Sequence, residues 1–576
     1  MSGKHPTPRP FWHRTFSQAQ TWGRPIGKDA HGGEDVRPEY LNSMMPHSKE
    51  AGFGKENLVH TGDAYANEWP SEQEWEVPNA ARDYPYLQHV KILSQGWPHL
   101  RFLAQWMEVT TSPIKWTQFK KMSAPKRDSI LRERASRTNV AVMDFNEDGT
   151  AKLVSRIDNS QILCTQLQEN QPAGVSRLYI VEDLSRDTIE YLGRYLDIDP
   201  LFFRDHLNDY WWYNVNDPWV ELPDLDVVSK DRDFFRLSYV QPRYFEDDNS
   251  FLRAKTQTGN FNVLRRLDDD RAHKALFDSD SAIVALVRSK TSLWVKPHPK
   301  TQKGNFTGVL LVDPSITEGS ALWKGYRSFW RSPKFSESKS AYPVPEKSKL
   351  FEDLIFWIQH MEPVDVKAVY SNPKVMIFRM AQLVCSDWNI MIRYILARLN
   401  MIEWELERPD FRPDSTKIDA SLGKLHTWRR RLPLYKVMVR ETQEKLFHDI
   451  KKGQHDCFAQ MRKDFKTVAA GLVELYERTE RIATVATAVT SIEEARRAMD
   501  QNRALGRLTY LAVIFAPLSF ISSFFSMAPE LGELTTTIWI YFVVALPVSL
   551  IAFLLVEPSV LAFLRSYLPG YKGKKN

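Results

Sequence analysis

The residues whose types and spacing could line a water-filled path lie near the carboxyl end of the chain. Between residues 505 and 526, apolar, small and hydroxyl-bearing side chains recur at intervals of three or four, as on one face of a helix. These residues are Leu505, Leu508, Ala512, Ala516, Ser519, Ser523 and Ser526. Such a face can line a water-filled pore or form a close-packed seam between helices; we favour the pore and keep the seam as the alternative.

This face lies on the first of two long apolar segments. Residues 508–527 form a run of 20 without a charged side chain, and residues 538–556 form a second run of 19. At about 1.5 Å per helical residue, each run covers the roughly 30 Å hydrocarbon core of a bilayer. Pro517 and Pro547 are tolerated inside membrane helices, where neighbouring helices satisfy the freed carbonyl groups. We therefore predict two transmembrane helices, with a buried hairpin in a soluble protein as the alternative.

Basic residues flank the pair of segments on one side only. Four arginines occupy the 20 residues before the first segment, and four basic residues occupy the 20 after the second. The connecting loop, residues 528–537, has no lysine or arginine and carries only Glu530 and Glu533. By the positive-inside rule, both ends of the chain are predicted to face the cytoplasm. The plasma membrane is the expected location, with the vacuolar and inner mitochondrial membranes as alternatives.

The composition of the whole chain excludes several classes of protein. Its 77 Lys and Arg residues nearly balance its 71 Asp and Glu residues, and the formal charge of +6 is too small to indicate a nucleic-acid partner. Three widely spaced cysteines, Cys164, Cys385 and Cys457, cannot build a disulfide framework or a zinc cluster, which favours a reducing compartment. No HExxH, GxSxG or CxxC motif occurs, so we predict no enzyme activity and no tightly bound cofactor.

The middle of the chain has the pattern of a mixed α/β domain. Alternating and β-branched residues predict strands at 140–145 and 177–182. Ser185 and Asp199 are predicted to cap the helices that follow them. A β-meander is predicted for residues 282–288, 293–296 and 309–312.

Beyond residue 350 the pattern is helical, and a single helix is predicted from Asp456 to Met527. Ten of its positions are spaced alternately by three and four, and nine of the ten are apolar, as in a coiled coil. They are Phe458, Met461, Phe465, Val468, Leu472, Leu475, Thr479, Ile482, Ala486 and Val489. This heptad stripe is predicted to supercoil with partner helices and to hold copies of the chain together, in a stalk that leads directly into the membrane.

Together these features resemble the CorA-type divalent-cation channels, in particular their divergent fungal members. The family's Phe-x-Pro-Leu-Ser/Thr-Phe core in the first span is matched by Phe515, Pro517, Leu518, Ser519 and Phe520. Asn502 lies where the family often has an asparagine near the cytoplasmic entrance of the pore. Residues 181–207 and 402–407 are similar to the fungal members.

One part of the family pattern is altered. The signature Gly-Met-Asn at the end of the first span is replaced here by Ser526, Met527 and Ala528. In the family, the asparagine side-chain oxygens accept hydrogen bonds from the waters of hydrated Mg²⁺, an ion that dehydrates reluctantly. Ala528 has no side-chain acceptor, so Glu530 and Glu533 are the groups expected to attract cations at the outer mouth.

The resemblance implies a homo-oligomer, a pentamer in the family, whose first spans enclose a pore. Asn502 and the face from Leu505 to Ser526 would line it, and Leu505 with Leu508 would form a constriction that gates by dewetting. The transported ion would be Mg²⁺, with Zn²⁺ or Co²⁺ as alternatives. The partners would be the bilayer, divalent cations and further copies of the chain; no motif identifies regulatory metal ligands. A non-conducting membrane-anchored scaffold or regulator is the alternative function.

The expected fold class is an α+β membrane protein with a cytoplasmic mixed α/β domain, a long coiled helical stalk and two C-terminal transmembrane helices. The predicted order is a disordered region at 1–84, the α/β domain at 85–331, a linker at 332–349, the stalk region at 350–507, the first span at 508–527, the outer loop at 528–537, the second span at 538–556 and a basic cytoplasmic tail at 557–576.

Cysteine labelling tests the predicted orientation. In a variant whose three native cysteines are replaced by serine, we expect Glu533→Cys to react with a membrane-impermeant maleimide added outside the cell. Lys574→Cys should react only after the membrane is permeabilised, because the basic flanks stay on the cytoplasmic side. Reaction of Lys574→Cys in intact cells would overturn the predicted topology.

Overall fold

The computed structural model describes most of the chain from residue 80 onward. The described residues are 77, 80–111, 119, 121–169, 171–172, 174–207, 225, 232–265, 267–270, 281–297, 306–332, 334–337, 349–407, 415–447, 456–526 and 534–556. Almost all of the region predicted to be disordered, most of the predicted outer loop and the basic tail lie outside the described residues.

A mixed sheet forms the centre of the α/β domain. Its strands are β1 (Arg137–Asn146), β2 (Ala151–Asn159), β3 (Val175–Glu182), β4 (Phe234–Phe245), β5 (Leu267–Asp270), β6 (Ile283–Pro297), β7 (Phe306–Val312) and β8 (Ser320–Ala321). They lie in the order β2-β1-β3-β7-β6-β4-β8, with β5 paired to β6 beside this path. β3 and β7 are parallel, and the other described pairs are antiparallel.

Short helices cover this sheet. They are α1 (Ala80–Asp83), α2 (Pro85–Gly96), α3 (Arg101–Val109), α4 (Ala124–Ser136), α5 (Ser160–Gln168), α6 (Arg186–Leu196), α7 (Pro200–Leu207) and α8 (Asp248–Asn260). A large apolar cluster lies between α2, α3, α6 and α7 and the strands β1, β3 and β7. Glu190 of α6 is buried there, and its carboxylate accepts hydrogen bonds from the backbone NH groups of Tyr86 and Leu87 at 2.8 and 2.9 Å. These bonds satisfy backbone NH groups in the first turn of α2, because the N-cap residue of that helix makes no capping hydrogen bond with its side chain.

The local predictions for strands and caps in this domain are confirmed. The strand predicted at 140–145 lies within β1, and the strand predicted at 177–182 lies within β3. The hydroxyl of Ser185 accepts a hydrogen bond at 3.3 Å from a backbone NH in the first turn of α6. Asp199 accepts a similar bond at 2.9 Å at the start of α7.

The predicted β-meander is wrong. Its first two strands are parts of the 15-residue strand β6, and its third, β7, pairs on its other side in parallel with β3. The polar residues 289–292, which separate the two apolar runs, do not form a turn. They are buried within the strand. The ammonium group of Lys290 donates to a backbone carbonyl of α7 at 2.7 Å, and the hydroxyl of Thr291 donates to one of β7 at 2.8 Å. These bonds satisfy the polar groups, so the strand continues through them.

The next two helices, α9 (Leu350–Gln359) and α10 (Pro363–Ser371), pack against β2 and β1. Arg156 of β2 forms an ion pair at 2.7 Å with Glu352 of α9, and its hydrogen bonds lower the pKa of that carboxyl. Arg327, before α9, is buried and pairs at 2.6 Å with Asp353 and at 2.5 Å with Asp387. The residues just beyond 349 therefore contribute to the packing of the sheet.

Long helices complete the described chain. They are α11 (Phe378–Glu407), α12 (Ser415–Phe447), α13 (Asp456–Ser526) and α14 (Leu534–Val556). α13 has 71 residues and confirms the single helix predicted to start at Asp456. By internal contacts, residues up to 395 together with 434–472 form one compact unit, and residues 396–433 together with those from 473 onward form another. A mixed α/β domain followed by a long helix and a helical C-terminal part confirms the predicted fold class at this level.

The heptad stripe of α13 is buried inside the single chain. Eight of its members are at most 4% exposed, namely Met461, Phe465, Val468, Leu472, Leu475, Thr479, Ile482 and Ala486. Val489 is half-buried, and the side chain of Phe458 lies outside the described residues.

Two helices of the same chain contact this stripe region. In the first unit, the ring of Phe447 of α12 packs edge-on against Phe465, with centroids 5.8 Å apart. In the second unit, Glu403 of α11 pairs with Arg478, and Arg429 of α12 pairs at 2.9 Å with Glu480. The partner helices of the stripe are thus α11 and α12. Contrary to the prediction, the stripe is not available to hold several copies of the chain together.

Truncating one side chain tests the burial of the stripe. We expect Leu472→Ala to lower the free energy of unfolding by about 2–5 kcal/mol, because a fully buried leucine leaves a cavity. The neighbouring Val473 is 39% exposed, so Val473→Ala should change that free energy by about 0.5 kcal/mol or less. Thermal denaturation of the detergent-purified chain, followed by circular dichroism, measures both. Equal destabilisation by the two variants would contradict the burial.

Candidate functional site

The candidate pore face lies on the last part of α13. The helix continues without a break from the buried heptad stripe to Ser526, since Pro517 is its sole described proline and is accommodated inside it. Every member of the predicted face is exposed in the single chain, and Leu505 and Leu508 are 58% and 64% exposed. The others are Asn502, Ala512, Ala516, Ser519, Ser523 and Ser526. The structure therefore brings all these predicted pore residues onto one helix and leaves them uncovered.

A different face of α13 packs against α14. Ile521 is buried on α13, and Ala545 and Ser549 are buried on α14, one turn apart. One turn earlier on α14, the hydroxyl of Tyr541 donates a hydrogen bond at 3.3 Å to the carbonyl of Leu518. These residues form the contact between the two predicted spans.

The packed face and the candidate pore face point in nearly opposite directions. At roughly 100° per residue, Ile521 lies about half a turn, and Leu518 about a third of a turn, away from the mean direction of the face that runs from Leu505 to Ser526. The small and hydroxyl-bearing residues are therefore not a seam between the two spans of one chain. A seam with another chain and a pore lining remain the two interpretations.

Length and composition allow two described helices to cross a membrane. One covers residues 374–406, but 83% of its apolar window is buried inside the chain, as in the core helix of a soluble domain. The other covers residues 459–523, and only 6% of its apolar window is buried. α14 has 23 residues without a charged side chain, as the second predicted span requires.

The outer mouth lies outside the described residues. α13 ends at Ser526, whose side chain is exposed, and α14 begins at Leu534. Met527, Ala528, Glu530 and Glu533 fall between them, so their arrangement stays a prediction. At the end predicted to be cytoplasmic, Arg503 and Asp500 form an exposed ion pair at 3.7 Å beside Asn502.

Buried charges of the α/β domain bind one another. Asp313 accepts hydrogen bonds from Arg265 at 2.6 and 2.8 Å and from the backbone NH of Lys290 at 2.7 Å. Burial raises the pKa of Asp313 although Arg265 opposes the shift. Burial, assisted by Arg265 and Lys290, lowers the pKa of His206, whose ring nitrogen is 3.5 Å from Asp313. These groups join β6 and β7 to α7 and have the character of structural pairs.

No group of three or more His, Cys, Asp or Glu residues in the described part of the chain could hold a metal ion. The structure thus identifies no regulatory metal site among those residues.

One surface of α13 was missed by the reasoning from sequence. Val485, Ile492 and Met499 are each more than half exposed. They are spaced by seven residues, and this regular spacing is the signal that could have revealed them. The heptad stripe overlaps these three residues in the sequence, so their seven-residue spacing was not recognised as a separate pattern.

Comparisons with known proteins found one family model, which matches the C-terminal part of the chain, and solved structures that cover about three quarters of it. Residues 356–557 match the family model of the CorA-like Mg²⁺ transporter protein, which supports the resemblance and describes transporters rather than enzymes. The complete structure of the CorA magnesium transporter from Methanocaldococcus jannaschii is similar at 11% identity, covering 72% of this chain and 95% of that chain, with a TM-score of 0.34. The structure of the full-length CmaX protein is similar at 12% identity, covering 73% and 98%, with a TM-score of 0.34. No curated protein matches the chain.

Proposed function

We propose, because residues 356–557 match the family model of the CorA-like Mg²⁺ transporter protein, that this protein moves divalent cations across a membrane. The path is a pore enclosed by the first spans of several copies of the chain, since two spans per chain cannot enclose one alone. The family resemblance favours a pentamer. Both ends of the chain face the cytoplasm, and the predicted domain boundaries place the α/β domain on that side.

The observation that carries this proposal is the exposed face of α13 opposite α14. Ser519, Ser523 and Ser526 offer hydroxyl groups to water or to a hydrated ion, while Ala512 and Ala516 leave room. In a single chain these hydroxyls would face hydrocarbon, where a polar group without a partner is costly. A water-filled path between several copies gives them that partner.

Leu505 and Leu508 narrow the path near its cytoplasmic end. Both side chains are exposed on the same face, one turn apart. A ring of leucines excludes water when it is narrow and admits water when it widens, so the constriction is the gate in this proposal. Asn502 lies before the gate, at the cytoplasmic entrance.

Ion selectivity is the point at which this chain departs from the family pattern. With Ala528 in place of asparagine, the outer mouth lacks the acceptors that bind the water shell of Mg²⁺. Glu530 and Glu533 raise the local concentration of cations instead, in a manner that salt weakens. Zn²⁺ and Co²⁺ are the alternative cargoes, and loss of the signature also favours a second candidate, a non-conducting scaffold or regulator.

Pore lining is tested by a matched pair of serine variants. Ser519 lies on the candidate face, whereas Ser522 is also exposed but lies on another side of the helix. We expect Ser519→Leu to reduce cation flux in proteoliposomes about tenfold or more, because it adds a second apolar ring to the pore. Ser522→Leu should leave flux within about twofold of the wild type. Flux is measured for Mg²⁺, Zn²⁺, Co²⁺ and Ni²⁺, and equal effects of the two variants would contradict the assigned face.

Restoring the signature tests the outer mouth. We expect poor Mg²⁺ uptake by the wild type, and higher uptake when Ser526→Gly is combined with Ala528→Asn. Each side-chain oxygen restored contributes on the order of 1 kcal/mol to the binding of hydrated Mg²⁺, and every copy in a symmetric ring adds one such contribution. Glu530→Gln with Glu533→Gln should lower any remaining uptake. The assay uses cells deficient in magnesium transport.

Two outcomes of this assay decide against parts of the proposal. Strong wild-type Mg²⁺ uptake that none of these substitutions changes would place selectivity elsewhere. No flux of any divalent cation, by any variant, would favour the non-conducting scaffold.

A further inference from the structure

One short segment of the α/β domain exposes aromatic and basic side chains together. Residues 323–335 contain five aromatic and four basic residues, and no aspartate or glutamate. Trp323, Tyr326 and Phe335 are 48%, 63% and 99% exposed. Lys324 and Arg331 are also exposed. We refer to these five residues as the aromatic-basic surface. Exposed aromatic residues and arginine are enriched where proteins bind a partner.

Buried anchors hold this segment against its own domain. Leu322 is 3% exposed, and the guanidinium of Arg327 is buried and paired with two carboxylates. Farther along, the rings of Phe329 and Trp330 pack edge-on against Trp357 of α9, with centroids 4.9 and 5.6 Å apart. The exposed residues lie between and beside these fixed points. The surface is therefore already formed in the single chain, which lowers the entropy cost of binding.

The backbone at the start of the surface is strained. Trp323 and Lys324 have φ values of 51° and 59°, and Gly325 follows with a φ of 63°. L-residues other than glycine rarely adopt this left-handed conformation, because Cβ comes too close to the following carbonyl oxygen. Such strain persists only where the surroundings fix it, and it is common at binding sites. Here it accompanies a tryptophan and a lysine whose side chains are both exposed.

The same chain contains a segment of complementary composition. Residues 63–76, which we call the acidic segment, have no lysine or arginine and carry five acidic residues. The acidic residues are Asp63, Glu68, Glu72, Glu74 and Glu76, and the aromatic residues Tyr65, Trp69 and Trp75 lie among them. Carboxylates and aromatic rings are the groups that bind exposed lysine, arginine and tryptophan. Charge complementarity therefore favours this segment as the partner of the surface.

The acidic segment is attached to the domain at Val77. The backbone NH of Val77 donates a hydrogen bond at 2.5 Å to the carboxylate of Glu108 on α3, which also pairs with Lys91. Fourteen residues at about 3.3 Å each reach roughly 45 Å from this point. A domain of about 250 residues has an expected radius of gyration of roughly 18 Å, so the acidic segment is long enough to cross it. The attachment also gives the segment a high effective concentration at the surface.

We infer that the acidic segment docks on the aromatic-basic surface of the same chain. Its carboxylates pair with Lys324 and Arg331, and its tryptophans pack against Trp323 and Tyr326. The contact assigns a role to the region that precedes the α/β domain. It lies apart from the two predicted spans and does not depend on the proposed function.

Labelling of an introduced cysteine tests this inference. In a chain whose native cysteines are replaced by serine, Ser332→Cys places a thiol at an exposed position beside Arg331. Its rate of reaction with a maleimide is measured in detergent for the whole chain, a chain without residues 1–62 and a chain without residues 1–76. We expect the first two to react about fivefold or more slowly than the third, because both retain the acidic segment. Salt at about 1 M, where the Debye length is about 3 Å, should remove most of this difference.

A second position controls for general effects of truncation. Ser129→Cys, exposed on α4, should react at the same rate in all three chains. Circular dichroism establishes that each chain is folded.

Exchanging the charges tests which residues make the contact. The measured quantity is the labelling rate of the chain without residues 1–76 divided by that of the whole chain. Taking this ratio within each variant cancels the direct effect of a neighbouring charge on the reactivity of the thiol. Lys324→Glu with Arg331→Glu should lower the ratio to about one. Adding Glu72→Lys and Glu74→Lys to the whole chain should restore at least half of the lost protection, which a merely misfolded surface would not do.

Three results would overturn the inference. The first is equal labelling of Ser332→Cys in the whole chain and in both truncated chains. The second is loss of protection on removal of residues 1–62 alone, which would assign the cover to a different segment. The third is protection that remains without residues 1–76 and decreases on dilution, which would assign the surface to a second copy of the chain. Cation flux is not measured, so each of these results leaves the transport proposal to its own tests.

Discussion

Burial of the heptad stripe of α13 against α11 and α12 sets the direction in which every other face of that helix points. Between Leu475 and Ala486 the apolar positions are almost fully buried, and each large side chain contributes roughly 1.5–3 kcal/mol by leaving water. A helix held along one side cannot rotate about its axis. Because its backbone continues to Ser526, the directions of the residues in the first span follow from the 3.6-residue period.

Three faces of the second half of α13 therefore have three different surroundings. One face contacts α11 and α12, and a second contacts α14 through Leu518 and Ile521. The third carries the exposed serines and alanines. In a bilayer the backbone is satisfied within each helix, and a serine hydroxyl that donates to a carbonyl of its own helix still has an unused acceptor, which water can satisfy. An arrangement of several copies around water meets this need, and it leaves the apolar outer faces to lipid.

Buried ion pairs are a feature of the α/β domain. Arg265 pairs with Asp313 and Arg327 pairs with Asp353, and these bonds join segments that are distant in the sequence. Breaking one member of such a pair leaves a buried charge without compensation and is strongly destabilising.

Local patterns of the sequence determined the two apolar runs, the asymmetry of basic residues, the strands at 140–145 and 177–182, the caps at Ser185 and Asp199, and the unbroken α13. Each of these depends on composition, periodicity or contacts within a few residues. Tertiary structure alone decided that residues 289–292 continue a strand, since the bonds that satisfy Lys290 and Thr291 come from distant segments. It also decided which apolar stripe is covered. The heptad stripe and the exposed residues Val485, Ile492 and Met499 have related spacings on α13. They differ because contacts such as Glu403 with Arg478, 75 residues apart in sequence, bring α11 and α12 against the heptad stripe alone.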